Sequence, residues 1–334
     1  SSAMDKFFAT ASDLSADPAS VVQRNMFVRD AEGLASRFRE LAGHLSTIEV
    51  EAQSSIERQI STINTLSAQL ATINTQLGGK ISVDKQPAGL LDQRDQVLRD
   101  LANISKIHIA ESASGEVNVR LGSSAGSLLV EGKKSLDLGV SFDANDPGRV
   151  DIVLDPFGEP RAASTVTSGV LGGLINFRSQ TLGPAMDGFD YLAQTVVKEI
   201  NQIHTSGLDA RGVRGTDLFK IDSVFEVTSP TINTDVNLAI EVVDPAAFKF
   251  SPFEARWMST DKVWRIEDGK TGAVTFATPS TDGFSYSGLQ INSSGRLNDG
   301  DTFKIEPRDR PAAGFRLVQT CLLYTSPSPR DKRQ

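Results

Sequence analysis

The sequence predicts an α+β protein: a rod-like bundle of long helices with a small β-meander inserted, followed by a mainly β outer domain. Three observations point there. No proline occurs between Pro18 and Pro87, and no glycine between Gly43 and Gly78. The hydrophobic period shortens from three-to-four to two between Lys106 and about Ala162. Past Gly207, helical spacing gives way to short alternating runs separated by turn residues. The expected organisation is a helical domain over 1–206 with its insertion at about 106–162, an outer β-domain over 207–320, and a separate tail over 321–334.

Residues 1–77 read as helix. Leu41, Leu45, Ile48, Ala52, Ile56, Ile60, Ile63, Leu66, Leu70, Ile73 and Leu77 recur at three- and four-residue steps, an amphipathic stripe whose other faces are rich in Ser, Thr, Asn and Gln. Asp17 is the expected N-cap, with Pro18 at the first helical position, and "LGGK" after Thr75-Gln76 supplies the stop. Continuous from Pro18 to Leu77, such a helix would be about 90 Å long at ~1.5 Å per residue, the length of a rod.

"GLLDQRDQVLRDLANI", Gly89 to Ile104, is the next helix. Leu90, Val97, Leu98, Leu101 and Ile104 share one face. Asp92, Asp95 and Arg99 lie opposite, Asp95 and Arg99 as an i,i+4 pair of roughly 0.2–0.5 kcal/mol. Arg94 falls inside the apolar stripe, so it must snorkel or find a partner on a neighbouring helix. Glu51, Glu57, Asp190 and Glu199 are the candidates. This reads as a structural tie to the bundle, not as catalysis.

"VNVRL", "SLLV", "SLDLGV" and "RVDIVLD" form the meander, punctuated by "SASG", "GSSAG" and "DANDPG". Helix returns from Ser168 to about Ser206. There Phe189, Leu192, Val196, Val197, Ile200 and Ile203 should pack on the first long helix. Beyond a turn-rich connector, "KVWRIEDGKTGAVTFAT" is a hairpin with Trp264 and Ile266 on one face and Val274 and Phe276 likewise. "GLQI", "DTFKIEP" and "GFRLV" follow as strands.

Hydrophobic residues make up 39% of the 334 and charged residues 23%, the profile of a globular chain. No apolar run is long enough to span a membrane, and "SSAMDKFFATASDL" lacks the order of a cleavable signal. Two serines before Met4 suggest a fragment. The end, "CLLYTSPSPRDKRQ", continues no pattern and resembles a translated sequencing-adapter read-through. Without its three basic residues and one acidic residue the net charge moves from −8 to −10, and the only cysteine, Cys321, goes with it. A chain so composed offers no disulfide, thiolate metal site or catalytic thiol, and its acidity disfavours nucleic acid.

The motif search discards each chemical reading. "GSSAG" at Gly122–Gly126 matches a nucleophile elbow, but strand rather than helix follows, so Ser124 is a hairpin residue. "GSLLVEGKK" has one residue too many for a phosphate loop. "DANDPGRVDIVL" offers Asp143, Asn145 and Gly148, with Pro147 at the fifth position and Leu154 where a bidentate Glu belongs. His44, His108 and His204 have no ligand spacing. Gly207, Gly212 and Gly215 do not follow a dinucleotide-binding pattern. No catalytic residue, metal ligand or cofactor is expected.

"LLDQRDQVLRDLANI" followed by "KIHI" resembles the signature of the bacterial flagellar hook-associated protein 1 family. Its structural motif residues here are Leu90, Leu91, Asp92, Arg94, Asp95, Leu98 and Leu101. "FFATASDLSADPASVVQRNMFVRDAEGLASRFRE", "VNVRLG…LVEGKKSLDL", "LGGLINFRSQTLGPAMDGFDYLAQTVVKEINQIHTSGLDARGVRGTDLFKI" and "VWRIEDG…GLQINSSGRLNDGDTFKIEP" are similar to that family's further stretches, in order, from about Phe7 to Thr320. The resemblance implies an extracellular axial structural protein, exported through the flagellar type III apparatus without a cleaved signal. Its implied partners are copies of itself in a ring, the hook protein, the second hook–filament junction protein and, for the full-length protein, an export chaperone. No nucleic acid or membrane insertion is implied. The family's paired terminal core helices have no counterpart here. A neighbouring axial protein (second junction protein or flagellin-like) is the alternative, and a surface glycan-binding β module built around Trp257 is a more distant one.

Overall fold

In the computed structural model the described residues are 2–78, 82–142, 150–156, 161–163, 166–208, 212–221, 225–229, 236–244, 247–248, 251–269, 271–277, 279, 283–307 and 310–318. They combine long helices with antiparallel sheets, the expected α+β class. Contacts divide the chain into two compact units, one of Ser1–Leu45 with Met186–Gln334 and one of Ser46–Ala185. The boundary expected between 206 and 207 lies inside the first of these.

Helix α1 (Ser2–Ala16) and helix α2 (Val21–Leu77, 57 residues) are separate, and the long helix expected from Pro18 to Leu77 begins at Val21. Asp17 is not the cap. Ser20 is: its Oγ accepts the Gln23 N–H at 3.3 Å and its carbonyl the Arg24 N–H at 3.1 Å. Asp17-Pro18 instead turns the chain, with Ser20 N–H donating to Asp17 O. At the other end Gly78, at φ +52, stops α2 as expected and donates its N–H to Asn74 O.

In the Ser46–Ala185 unit, α2 and helix α3 (Ala88–Ile104) carry the insertion. The single meander expected is two sheets. Strands β1 (Ile107–Glu111), β2 (Val117–Leu121), β3 (Leu128–Glu131) and β4 (Lys134–Ser135) form one, in chain order. Strands β5 (Leu138–Phe142), β6 (Val150–Leu154) and β7 (Arg161–Ala162) form the other. Ile56, Ile60, Ile63, Leu70 and Leu77 of α2 share a core with Val97, Leu101 and Ile104 of α3 and with Val119, Leu121, Leu138 and Leu154 of the strands. Helix α4 (Gly169–Asn176) then passes into a π-helical turn, Phe177–Leu182.

That turn interrupts the helix expected from Ser168 to Ser206, and helix α5 (Gly183–Ser206) begins only after it. Gly183 donates to Arg178 O, five residues back, and Pro184 has no N–H to offer, so the register widens there. Arg178, 2% exposed, reaches from the wide turn to Glu49 Oε1 at 3.1 Å.

In the other unit, Phe7, Phe27, Leu34 and Phe38 of α1 and α2 pack with Phe189, Val196, Val197 and Ile200 of α5. Phe38 stacks on Phe189 with ring centroids 5.3 Å apart. Leu192 and Ile203, expected in that seam, are exposed, as is Ile48 of the long stripe. Strands β8 (Phe219–Ile221) and β17 (Phe315–Leu317) pair and bury Phe219 and Phe315 in the same core.

The remaining strands are β9 (Phe225–Thr228), β10 (Asn237–Val242), β11 (Phe253–Met258), β12 (Val263–Asp268), β13 (Val274–Ala277), β14 (Gly283–Tyr286), β15 (Leu289–Ser294) and β16 (Thr302–Pro307). They form a five-stranded sheet, β13-β12-β11-β16-β9, and a three-stranded one, β10-β15-β14, that share a core. Trp264 and Ile266 are buried as expected. Val274 and Phe276 are not: they pair with Glu267 and Arg265, which places them on the outer face.

Candidate functional site

Helix α3 starts where Pro87 O accepts the N–H groups of Leu90 and Leu91, and closes where Ser105 N–H donates to Leu101 O. Between them Leu101 is buried, Leu90, Leu91 and Leu98 are half-buried against the core, and Asp92 faces solvent. Arg94 lies on the apolar side, its side chain 10% exposed. Its Nε and Nη2 reach Asp95 Oδ1 at 2.9 and 2.8 Å. Its Nη1 donates to Glu111 Oε1 at 2.6 Å and to Gly115 O at 2.8 Å. The tie therefore runs to strand β1 and the turn behind it, and no acid of α2 or α5 is among these partners. Asp95 turns towards Arg94 rather than towards Arg99, which donates to Gln96. Burial by itself lowers the guanidinium pKa; the bonds to Asp95 and Glu111 more than offset that and leave it raised.

Gly115 has φ +86, and a Cβ there would stand 3.1 Å from Val83 Cγ2 and 3.4 Å from Arg94 Nη1. Only glycine suits that position. Gln86 Nε2 donates to Ser114 O and to Leu77 O, and Val83 N–H to Ala113 O. The end of α2, the start of α3 and the Ser112–Gly115 turn are thus locked around one guanidinium. The arrangement holds shape; it presents no nucleophile beside a base.

Three asparagines do related work and were not foreseen. Asn74 exchanges two hydrogen bonds with the Val117 backbone, 2.8 and 3.0 Å, and donates to Gly132 O at 2.6 Å. Asn64 exchanges two with Leu138, 2.9 and 2.8 Å. Asn201 of α5 accepts from Leu218 and Phe219 N–H and donates to Phe219 O. Each amide satisfies strand backbone as a neighbouring strand would. A signal existed in the sequence, because Ile60, Asn64, Ser67, Ala71 and Asn74 form one row at helical spacing in which Ser67 and Asn74 are fully buried.

The discarded motifs fall where expected or outside the described residues. Ser124 sits in the turn between β2 and β3, and His44 and His108 are exposed. Residues 143–149, with Asp143, Asn145, Pro147 and Gly148, lie outside the described residues. Trp257 is half-buried against Trp264, centroids 5.3 Å apart. In the first unit Asp190, 6% exposed, accepts from Arg310 Nε at 2.7 Å and from Ala312 N–H at 2.9 Å. Burial raises its carboxyl above the ordinary value, partly countered by Arg310. Among the described residues no group of three or more His, Cys, Asp or Glu could hold a metal ion, and no helix is long and apolar enough to cross a membrane.

Residues 1–219 match the family model of the flagellar hook-associated protein FlgK helical domain. The chain is 27% identical over 314 residues to flagellar hook-associated protein 1 of Salmonella typhimurium (strain LT2), covering 92% of this chain and 56% of that protein. It is 24% identical over 313 residues to the protein of the same description in Escherichia coli (strain K12), covering 91% and 56%. It is also similar to the solved flagellar hook junction protein FlgK from Burkholderia pseudomallei, with TM-score 0.70 and 27% identity over 97% of this chain and 59% of that one. The chain thus spans little more than half the length of these relatives. With the motifs in order, the two-unit α+β fold in place and the helical domain matched throughout, the chain belongs to the flagellar hook-associated protein FlgK family.

Proposed function

We propose that this chain is the helical and outer β portion of an axial junction protein whose copies assemble into a ring at the tip of the hook. Its role there is mechanical: it offers the second hook–filament junction protein, and beyond it the filament, a seat on the hook protein. The likeness to the Burkholderia hook junction protein across 97% of the chain is the observation that carries this reading. Because the chain spans 56% of its Salmonella relative, ring assembly, partners and export of the whole protein all belong to the proposal. Export as an unfolded chain without a cleaved signal, with a chaperone engaging the full-length protein, fits a sequence free of cysteine over residues 1–320. Exposed Ser61, Thr62, Thr65, Gln69 and Thr72 on α2 fit contact between subunits, which is more polar than a core.

The test is immunogold labelling of flagella on cells that make the protein, with antibody raised against residues 1–318. Gold confined to the boundary between hook and filament is expected. Gold along the filament would favour a flagellin-like role instead, and gold absent from flagella would overturn the axial reading altogether.

A further inference from the structure

Two sheet edges in the unit of Ser1–Leu45 with Met186–Gln334 are open in matching ways. Strand β10 pairs with β15 on one side only. Its residues Ala239–Val242, and Val243 after them, line a groove of about 820 Å³ whose other walls include Val197 of α5 and Phe219 and Ile221 of β8. Successive side chains of a strand point to opposite faces, so a consecutive run such as 239–243 borders a groove only along the strand's edge. Val243 N–H donates to Gly288 O at 3.0 Å, in step with Val242 opposite Leu289. Backbone groups alternate along an antiparallel pair, so Ile240 and Val242 turn theirs to the groove. Strand β13 likewise pairs with β12 on one side only. There Asp268 N–H donates to Ala273 O at 2.9 Å, in step with Glu267 opposite Val274. The same alternation turns the backbone groups of Val274 and Phe276 away from β12. Their side chains are 43% and 60% exposed, and among the described edge strands of this unit no other carries two large exposed hydrophobic residues.

We propose that β13 of one copy adds to the β10 edge of the next as the sideways contact of the ring, an inference that rests on the ring assembly proposed above. The edges match in number and spacing. Each offers the N–H and C=O groups of two residues that stand two positions apart, Ile240 and Val242 on one, Val274 and Phe276 on the other. Laid antiparallel with Ile240 opposite Phe276 and Val242 opposite Val274, every one of those groups finds a partner. Facing residues share a face of the sheet, so Phe276 and Val274 come to lie beside the half-buried Ile240 and Val242 and cover the apolar groove. Glu241 then stands opposite Thr275, both exposed in the single chain. The contact joins two different surfaces, which is what a ring requires; a strand that meets its own counterpart closes a dimer and stops there. Pairing also removes two open edges on which other chains could add.

The experiment uses the full chain with Cys321→Ser, which removes its single cysteine. Glu241→Cys and Thr275→Cys are made separately in that chain, mixed, and oxidised with copper phenanthroline in air. Facing residues that exchange no backbone bonds stand about 4.5 Å apart at Cα, within reach of a disulfide. A peptide that links position 241 to position 275, found by mass spectrometry, is the expected product. Phe276→Asp, a change at an exposed position, should abolish it when placed in the Thr275→Cys chain. A mixture without the linked peptide overturns the proposal, as does a yield that Phe276→Asp leaves unchanged. Linkage as strong in either variant alone overturns it too, because an edge would then be pairing with itself. The ring is decided apart from this: gold at the junction with no link between 241 and 275 overturns the strand contact and leaves the ring standing.

Discussion

Asn74 binds Val117 as a neighbouring strand would, giving an N–H to its carbonyl and taking its N–H in return, across 43 residues of sequence. Both groups are buried, so removing the amide leaves them unmet. Asn74→Ala is expected to cost about 2–3 kcal/mol in urea unfolding. Asn74→Leu should cost no less, since an apolar side chain offers the strand nothing. Asn64→Ala, at a half-buried position, should cost about 1 kcal/mol. An Asn74→Ala loss under about 0.5 kcal/mol, ordinary for a surface change, would show that water replaces the amide freely.

Arg94 is buried while its two carboxylate partners are close to half exposed, with side chains 46% and 47% accessible. The loss on cutting the tie should therefore be unequal from its two ends. Arg94→Ala is expected to cost about 2 kcal/mol, because the Gly115 carbonyl and the packed arginine stem are lost together. Glu111→Ala should cost under about 1 kcal/mol, in the range of solvated pairs. Arg94→Lys should recover less than half, since one ammonium cannot serve Asp95, Glu111 and Gly115 at once. Thermal unfolding of the three variants checks this, and equal losses for Arg94→Ala and Glu111→Ala would contradict it.

Ser259 holds the Asp299 carboxylate with its N–H at 2.8 Å and its hydroxyl at 2.9 Å, and these bonds lower the Asp299 pKa. A depressed carboxyl contributes stability that is complete above the ordinary value of about 3.9 and is lost as pH falls through the folded value. Ser259→Ala removes the hydroxyl alone, so the Asp299 titration followed by NMR should move upward part of the way. No movement would mean that the backbone N–H accounts for the whole effect.

Trp264 is 1% exposed and touches Trp257, Phe284 and Phe303, whereas Trp257 covers only one side of it. Trp264→Ala should cost about 3–5 kcal/mol, and Trp257→Ala about 1–2 kcal/mol, the part of its burial that is lost. Sugar binding that disappears in Trp257→Ala would revive the glycan-binding alternative.

The residues that were legible in the sequence are those whose cause is local. Gly78 ends α2, and the apolar spacing of α3 places Leu90, Val97 and Leu101 on the buried side, because helix stops and hydrophobic period need no knowledge of the partner. The position of Arg94 inside that stripe was readable for the same reason. Its partners were not, since nothing local prefers Glu111 to an acid on another helix. Asn64 and Asn74 carried a readable oddity, polar residues in a buried row, yet in a long helix full of Ser, Thr and Gln they passed as outer face. Asp17-Pro18 looked like a cap and Ser20 supplied it, a three-residue slip typical of boundaries. The π-helical turn had its warning in Gly183-Pro184, but the reach of Arg178 from that turn to Glu49, 129 residues back, had no local sign. Leu192, Ile203, Val274 and Phe276 matched their templates and still point to solvent, because a period marks a face without saying whether anything covers it.

The stretch of α2 from Gln59 to Leu77 contains no charged residue, and its exposed Thr62, Thr65 and Thr72 return their hydroxyls to carbonyls four residues back. Dissolved ions act on a protein surface by screening its charges, over about 10 Å at 0.1 M. Along this part of the helix there is nothing to screen. A neutral surface that packs there should hold equally well in fresh water and in brine.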